Sequence, residues 1–294
     1  MSLRLEMLQV ARLAPSLLGE SVSLVVSFLQ SRQVSDGGFC GRDGTSDLYY
    51  SSFAIDGLMA CQEAIDESRL RDYLVGFGEG EGLDFVHLCC LLRLWSVLPQ
   101  EIGESRLAAL LQRVESFRTK DGGYEGNPGA LAGSCYGCFL AYGAYSDHGK
   151  EVPHEEGVAA CLDSLQVAGG AWSNDTLIRV GAVPAVAAAV TLARNFRRPI
   201  PLETASWLLS CWSPEGGGFR AIQPAPMPDL LSTAVALHAM DSLQAPLDGI
   251  REQCLDFVDS LWTNAGGFHG TWDDDELDVE YTYYGLLALG HLSL

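Results

Sequence analysis

Two carboxylates separated by a single residue stand near the end of this 294-residue chain, in the segment Asp278-Val279-Glu280-Tyr281-Thr282. Two acids this close are coupled when they titrate, and the coupling raises the pKa of one of them. An acid that keeps its proton near neutral pH is able to donate it to another molecule. Asp278 and Glu280 are therefore candidates for acid chemistry.

An aspartate followed four positions later by serine or threonine recurs along the chain, at Asp47, Asp229 and Asp278. Asp84 is followed instead by His87, at a helical spacing that allows a carboxylate–imidazole contact. Aspartate is a preferred helix N-cap, because its side chain accepts hydrogen bonds from free backbone N–H groups. Each aspartate is thus either a cap alone or a cap that also lines a site. The Asp84–His87 pair is either a proton-transfer pair or a packed core pair.

The elements that position these residues are indicated by a repeated Gly-Gly-aromatic pattern. Its five clear copies end in Phe39, Tyr124, Trp172, Phe219 and Phe268, at intervals of 85, 48, 47 and 49 residues. The first interval is about twice the others, which predicts a degenerate sixth copy in the glycine-rich stretch 76–82. A period of about 40–50 residues indicates one repeated supersecondary unit.

The sequence of each unit predicts two helices joined by a glycine-rich turn. Stretches that are apolar on nearly all sides follow the glycines, which is typical of buried inner helices. They span 46–61, 84–98, 133–145, 180–194, 229–243 and 278–292. Amphipathic stretches, typical of half-exposed outer helices, precede most of the glycines. They span 17–33, 104–118, 154–166, 201–212 and 248–262.

These patterns predict an all-α fold of six helical hairpins, with no strands, since no convincing run alternates apolar and polar residues. The hairpins would either stack as an open solenoid or close into an α/α toroid, an α6/α6 barrel. The apolar inner helices favour closure, because an open stack leaves an apolar face uncovered. We expect residues 1–294 to form a single domain.

The composition of the chain limits which partners, membrane segments and cellular compartment are expected for the protein. The formal charge of −20 argues against nucleic acid and anionic membrane surfaces, although it also fits simple solubility. The apolar stretch 22–29 is too short to span a bilayer, and 1–15 lacks the apolar core of a secretory signal. The nine cysteines are scattered, as in a reduced intracellular protein. We therefore predict a cytoplasmic protein without a transmembrane segment.

The residues before the aromatics carry a family resemblance. Gln166 to Trp172 fits the Q-x-x-x-G-x-W frame (the QW motif), and Gln33 to Phe39 fits it with phenylalanine. The chain resembles squalene–hopene-type terpene cyclases and protein prenyltransferase beta subunits. The resemblance implies that the first turns of the inner helices line the mouth of a central cavity and contact the substrate. The substrate-binding residues expected on this basis are Asp47, Tyr49, Tyr50, His87, Tyr136, Trp172, Arg179 and Tyr281.

The prenyltransferase side of the resemblance implies a zinc site and a diphosphate site. Of the three expected zinc ligands only Asp229 is present, because Leu231 stands at the cysteine position and Tyr281 at the histidine position. A single ligand cannot hold zinc, so we expect no zinc site and no zinc-dependent prenyl transfer. The candidate arginines for binding a diphosphate, Arg42, Arg179 and Arg220, are isolated in the sequence.

The cyclase side of the resemblance implies an acid motif of the type D-x-D-D-T and aromatic walls around a carbocation. Here Asp278 keeps the first position, Glu280 takes the central one, and Tyr281 replaces the last acid. We expect Asp278, Glu280 and Asp229 to act in acid-initiated (class II type) cyclisation of an isoprenoid or other lipid chain held in an apolar cavity. The aromatic lining would come from Tyr49, Tyr50, Tyr136, Tyr281, Tyr283 and Tyr284.

Two further expectations concern cofactors and partners. The alternative to an enzyme is a non-catalytic lipid-binding or scaffold protein, which would pair with an alpha-type partner subunit or with a second copy as a homodimer. The acidic run Asp273 to Glu276 is either a solvated loop or a local Mg²⁺ site at Asp273–Asp275. No other cofactor is predicted.

Overall fold

The computed structural model describes residues 2–294. The chain begins with α1 (Leu3–Ala11), α2 (Pro15–Leu18) and a 3₁₀ turn at Gly19–Ser21. Outer helices follow as α3 (Val22–Ser31), α5 (Glu67–Val75), α7 (Glu104–Glu115), α9 (Glu155–Leu165), α11 (Thr204–Cys211) and α13 (Arg251–Ser260). Their inner partners are α4 (Leu48–Ala60), α6 (Phe85–Trp95), α8 (Cys135–Ser146), α10 (Val183–Asn195), α12 (Leu230–Ser242) and α14 (Val279–Leu292).

The inner helices form a closed ring, since each packs against the next and α14 packs against α4. The predicted α/α toroid is therefore confirmed, and the open solenoid is wrong. The degenerate glycine stretch 76–82 does mark a sixth hairpin, formed by α5 and α6. Most residues of α14 are buried, whereas α13 buries one face only. Burying an apolar side chain stabilises the fold by about 1.5–3 kcal/mol, which explains why the inner helices are apolar on all sides.

Side-chain caps fix where the inner helices begin. Asp47, Asp84, Asp229 and Asp278 each accept a hydrogen bond, at 2.7–2.9 Å, from a backbone N–H two or three residues ahead. Each such cap typically contributes about 1 kcal/mol. The capping interpretation therefore holds for all four aspartates. We call the end of the ring at which the inner helices begin the mouth.

The glycine turns carry short antiparallel pairs that the sequence did not predict, because two residues are too few to show alternation. β1 (Phe39–Cys40) pairs with β2 (Ser46–Asp47), and β3 (Gln166–Val167) pairs with β4 (Ala171–Trp172). The backbone N–H of Phe39 donates to the hydroxyl of Ser51 at 2.8 Å. Thr233 and Thr282 accept the equivalent bonds from Phe219 and Phe268. This anchoring of the aromatic residue explains the serine or threonine that follows each of the three aspartates.

The outer layer also closes on itself. Gly266 has a φ of 92°, which favours glycine, and a Cβ at this residue would overlap the carbonyl oxygen of Leu24 in α3. The last glycine turn therefore packs directly on the first outer helix. Gly37 makes the equivalent close approach to Arg69 in α5, with a φ of 101°.

Helix α1 lies across the other end of the ring, which we call the closed end, and packs against α4, α8 and α14. Arg4 is buried there and donates from Nε to Asp56 Oδ1 at 2.7 Å. By length and composition alone, the helical stretch Leu3–Ser31 could cross a membrane. In the fold it is divided into α1, α2, the 3₁₀ turn and α3. The absence of a transmembrane segment stays a prediction.

Candidate functional site

The predicted acid pair lies at the mouth, and its two members have different surroundings. Asp278 is 3 % exposed and caps α14. Arg42, from the loop after β1, donates from Nε to Asp278 Oδ2 at 3.0 Å. The same guanidinium donates to Asp274, and this hydrogen bond lowers the pKa of Asp274. Asp278 is therefore held in an ion pair.

Glu280 is bonded to a phenol instead of a cation. The Tyr49 hydroxyl donates to Glu280 Oε1 at 2.6 Å, linking the first inner helix to the last. Burial raises the pKa of Glu280, the Tyr49 hydrogen bond lowers it, and the negative charge of Asp278 raises it again. The net direction is upward, so Glu280 is the member of the pair that favours its protonated form. Burial also raises the pKa of Tyr49, which keeps the hydroxyl as a donor.

Two further carboxylates, those of Asp84 and Asp47, lie on either side of the His87 imidazole. Its Nδ1 lies 2.8 Å from Asp84 Oδ1, and its Nε2 lies 2.8 Å from Asp47 Oδ2. Burial alone would lower the pKa of His87, but hydrogen bonds to both carboxylates raise it above its usual value. The imidazole therefore joins the beginnings of α4 and α6. Asp47 also caps the first turn of α4, which carries Tyr49, the hydrogen-bond partner of Glu280. His87 and Glu280 are therefore connected through Asp47 and Tyr49.

The ring encloses two cavities that share an aromatic wall. The Arg93 lobe has a volume of about 80 Å³ and extends toward the closed end, where Arg4, Arg93 and Asp147 line it. The Leu231 lobe has a volume of about 180 Å³ and lies between α8, α10 and α12. The residues common to both linings are Met7, Tyr49, Tyr136, Phe139 and Tyr284.

The tyrosines predicted as cavity lining divide into two groups. Tyr49, Tyr136 and Tyr284 line both lobes, and Tyr283 lines the Arg93 lobe. Tyr50 and Tyr281, each three residues after a capping aspartate, pack instead over turn glycines: a Cβ at Gly41 or Gly270 would overlap their rings. These two tyrosines thus support the mouth from outside the cavity.

The remaining predicted site residues lie apart from this group. Asp229 caps α12 at the mouth, and burial raises its pKa. Trp172 is buried in β4, where Nε1 donates to the carbonyl of Leu162 at 3.1 Å. Arg179 is exposed and donates to the carbonyls of Ser164 and Gln166. Neither Trp172 nor Arg179 lines the two lobes.

Several cavity residues were not singled out by the sequence, among them Arg4, Met7, Phe53, Arg93 and Phe139. Phe53 follows Tyr49 by one helical turn, and their ring centroids lie 4.9 Å apart. Phe139 follows Tyr136 at the same kind of spacing, so helical periodicity was a usable signal for both phenylalanines. Nothing in the local pattern pointed to Arg4 or Met7, because α1 lies outside the repeat.

The positions that would hold zinc in a prenyltransferase do not fit the metal. Leu231 lines its lobe with an apolar side chain, and the ring of Tyr281 faces Arg42 at 5.9 Å. Within residues 2–294 no group of three or more His, Cys, Asp or Glu side chains is placed to bind a metal ion. In the acidic run, Asp274 is bonded to Arg42 and Asp273 accepts the Thr271 hydroxyl. Mg²⁺ binding at Asp273–Asp275 stays a prediction.

A closed ring of helical hairpins around an aromatic cavity defines an α/α toroid protein. The chain belongs to the prenyltransferase alpha-alpha toroid domain family, whose model matches residues 5–84 and 185–293. No curated protein matches the chain in sequence.

Several solved structures share the fold. A variant of the type II terpene cyclase MstE from Scytonema, in complex with geranylgeranyl dihydroxybenzoate, is 10% identical with a TM-score of 0.65, covering 95% of this chain and 97% of that one. Protein geranylgeranyltransferase-I of Candida albicans, complexed with GGPP, is 14% identical with a TM-score of 0.67, covering 92% and 90%. An α-1,6-mannanase of Salegentibacter is 15% identical with a TM-score of 0.65, covering 94% and 98%. At these identities the likeness concerns the fold alone.

Proposed function

We propose that the protein encloses an isoprenoid or other lipid chain in its two lobes and protonates it from Glu280, which starts an acid-initiated cyclisation. The observation that carries the proposal is the Tyr49–Glu280 hydrogen bond of 2.6 Å. It places an acid with a raised pKa one hydrogen bond away from the cavity wall. Family membership and the terpene cyclase neighbour support the same class of chemistry.

The proton transfer follows from the hydrogen bonds. Because Tyr49 donates to Oε1, the acidic proton of Glu280 would be carried by Oε2. The π electrons of a substrate alkene take this proton and form a C–H bond, leaving a cation on the adjacent carbon. A second alkene closes the ring by attacking that cation. Loss of a proton from the final cation, with Glu280 carboxylate as acceptor, restores the acid and makes the reaction an isomerisation.

Aromatic rings beside the acid would stabilise the cation. Tyr49 lies next to Phe53, whose ring centroid is 5.5 Å from that of Tyr284. Each such ring contributes about 1–2 kcal/mol to a desolvated cation. Asp278 would act through its charge, which raises the pKa of Glu280, and it is paired with Arg42. Asp229 is the second acid candidate, on the α12 side of the mouth.

Prenyl transfer from a diphosphate is less well supported. A diphosphate needs cationic donors that are free to bind it. Arg42 is bonded to Asp274 and Asp278, and Arg220 donates to the hydroxyl of Ser213 with Glu215 at 3.9 Å. The carboxylates of the mouth would also repel an anionic head group.

Lipid binding without catalysis is the second candidate. It is favoured by the ion pair between Arg42 and Asp278. This pairing leaves Glu280 as the one acid of the segment 278–282 that is not bonded to a cation, whereas the cyclase motif contains several acids. In this case the ring would be a lipid carrier, or a scaffold for an alpha-type partner subunit or a second copy. A cytoplasmic location remains part of the proposal, supported by nine cysteines that are all free among residues 2–294.

The deciding experiment is turnover of polyprenyl substrates in D₂O. We expect a cyclised product that carries deuterium from the initiating acid, at a rate that falls as pH rises through the raised pKa of Glu280. Glu280→Gln should abolish product, and Tyr49→Phe should reduce it. Asp256→Asn, on the outer helix α13, is the matched acid-to-amide control and should retain full activity.

Two results would contradict the proposed reaction. Undiminished turnover by Glu280→Gln would show that another group donates the proton. A lipid that is retained unchanged by wild type and by both variants would overturn the cyclase and leave the carrier. A stoichiometric protein partner that co-purifies with the chain would favour the scaffold.

A further inference from the structure

The Arg93 lobe ends in a phenol that has no partner. Tyr283 is 0 % exposed and lines this lobe. Its buried hydroxyl makes no hydrogen bond of standard geometry within residues 2–294, although the nearby Arg93 guanidinium acts to lower its pKa. A buried polar group without a partner costs about 1–3 kcal/mol, so its presence calls for a ligand. Burial raises the pKa of Tyr283, which keeps the hydroxyl protonated and able to donate.

Two guanidinium groups line the same lobe, and their charges act to lower the pKa of this phenol. Arg4 is 4 % exposed, and its Nε donates to Asp56 Oδ1 at 2.7 Å. Arg93 donates from Nε and Nη2 to Asp56 Oδ2, at 2.9 and 2.5 Å. The two cations thus share one buried carboxylate. Arg93 keeps 22 % of its side chain accessible and lines the lobe.

The second carboxylate at this end, Asp147, interacts with both guanidinium groups through its charge and forms no hydrogen bond to either. Asp147 accepts from the backbone N–H of Arg4 at 3.3 Å, and no ion pair with either guanidinium is formed within 4.0 Å in the described chain. Burial raises the pKa of Asp147. The lobe therefore ends in more hydrogen-bond donors than its own acceptors satisfy.

We propose that the closed end of the Arg93 lobe binds the carboxylate of an apolar acid, with Tyr283, Arg93 and Arg4 as its donors. The chain of the acid would then run along the wall formed by Tyr49, Tyr284 and Phe139 toward the mouth. The orientation, with the carboxylate at the closed end and the tail near Glu280, rests on the proposed function. The carboxylate site itself does not depend on catalysis.

A carboxylate fits this end better than a neutral hydroxyl does. Guanidinium–carboxylate hydrogen bonds are charge-assisted and about twice as strong as neutral ones. An alcohol would bring a donor of its own to a site that already has an excess of donors. Water could fill so small a polar space, and water alone is the outcome that would leave no role for a ligand.

The test compares farnesoic acid with farnesol by isothermal titration calorimetry on the full-length protein. We expect the acid to bind wild type at least about tenfold more tightly than the alcohol, since hydrogen bonds to a charged group are among the stronger ones. Tyr283→Phe should weaken the acid by roughly tenfold and leave the alcohol unchanged. This variant removes only a hydroxyl that has no partner, so the fold should be retained.

Tyr73→Phe is the matched control, because the Tyr73 hydroxyl is also buried and without a partner but lies in the outer helix α5, away from the lobe. It should bind both probes as wild type does. Equal affinities for acid and alcohol, no binding of the acid, or equal effects of the two phenylalanine variants would overturn the carboxylate site. Glu280→Gln separates the two proposals: it should abolish turnover and still bind the acid with wild-type affinity.

Discussion

The carbonyl oxygen of Val10 occupies the place where a side chain at Gly290 would begin. Gly290 lies near the end of α14, and Val10 lies near the end of α1. The two backbones are therefore in direct contact, and this contact seats α1 across the closed end. The depth of both lobes depends on it, because Met7 of α1 lines each of them.

Gly290→Ala should displace α1. A Cβ at this position overlaps backbone, which cannot rotate away, so we expect a loss of about 1–3 kcal/mol in the free energy of unfolding. Urea denaturation measures the loss, and faster proteolysis within α1 would locate it. Gly143→Ala in α8, where a Cβ meets open space, is the control and should gain about 0.5–1 kcal/mol. Equal stability of the two variants would contradict the role of this contact.

Glu280→Gln should change how stability depends on pH. Because the pKa of Glu280 is raised in the fold, the folded protein holds this proton more tightly than the unfolded chain does. Its contribution is present below the unfolded pKa of about 4.3 and is lost as pH rises through the folded value. Wild type should therefore lose stability relative to Glu280→Gln between about pH 4 and neutral pH. Melting temperatures across this range test it, with the largely exposed Glu276→Gln as control.

His87 should stabilise the fold in its protonated form. The carboxylates of Asp84 and Asp47 raise the pKa of His87, so its contribution is complete below the unfolded pKa of about 6.5 and is lost as pH rises through the folded value. His87→Gln should remove this part of the pH dependence. Denaturation at mildly acidic and alkaline pH measures the effect, and the exposed His154→Asn should leave it in place. An unchanged pH dependence in His87→Gln would rule out the bridge.

Asp56→Asn should be the most destabilising of these changes. Asp56 is 1 % exposed and pairs with both Arg4 and Arg93, so its loss leaves one buried and one half-buried cation without this ion-pair partner. Breaking a buried ion pair typically costs about 3–5 kcal/mol. Asp72→Asn removes an exposed partner of Arg71 and should stay within about 0.5 kcal/mol. Urea denaturation of both variants measures the change in the free energy of unfolding. A small loss of this free energy in Asp56→Asn would contradict the pairing.

The architecture was predictable because short sequence patterns, repeated from hairpin to hairpin, specify the turns and the beginnings of the inner helices. Glycines with positive φ, such as Gly37 and Gly266, mark the turns, and capping aspartates such as Asp278 mark where the inner helices begin. The same caps also mark the end of the ring at which Asp47, His87 and Glu280 lie.

Pairings between distant residues were not predictable in the same way. Tyr49 and Glu280 are 231 positions apart and meet only because the ring closes. Consecutive helix residues point about 100° apart, so which of Tyr49 and Tyr50 faces the cavity depends on the phase of α4. Arg4 lies outside the repeat, and its partner Asp56 is 52 positions away on the first inner helix.

The packing of Gly266 on Leu24 gives the ring no first or last repeat. In an open array each terminal hairpin has one neighbour and can fray before the rest melts. Here every hairpin has two neighbours, and removing any one would expose two matched faces at once. Unfolding should therefore be a single cooperative transition. Helix α1 and the last turn of α14 meet at the closed end, so a circular permutant that joins α14 to α1 and begins at α5 should assemble the same barrel.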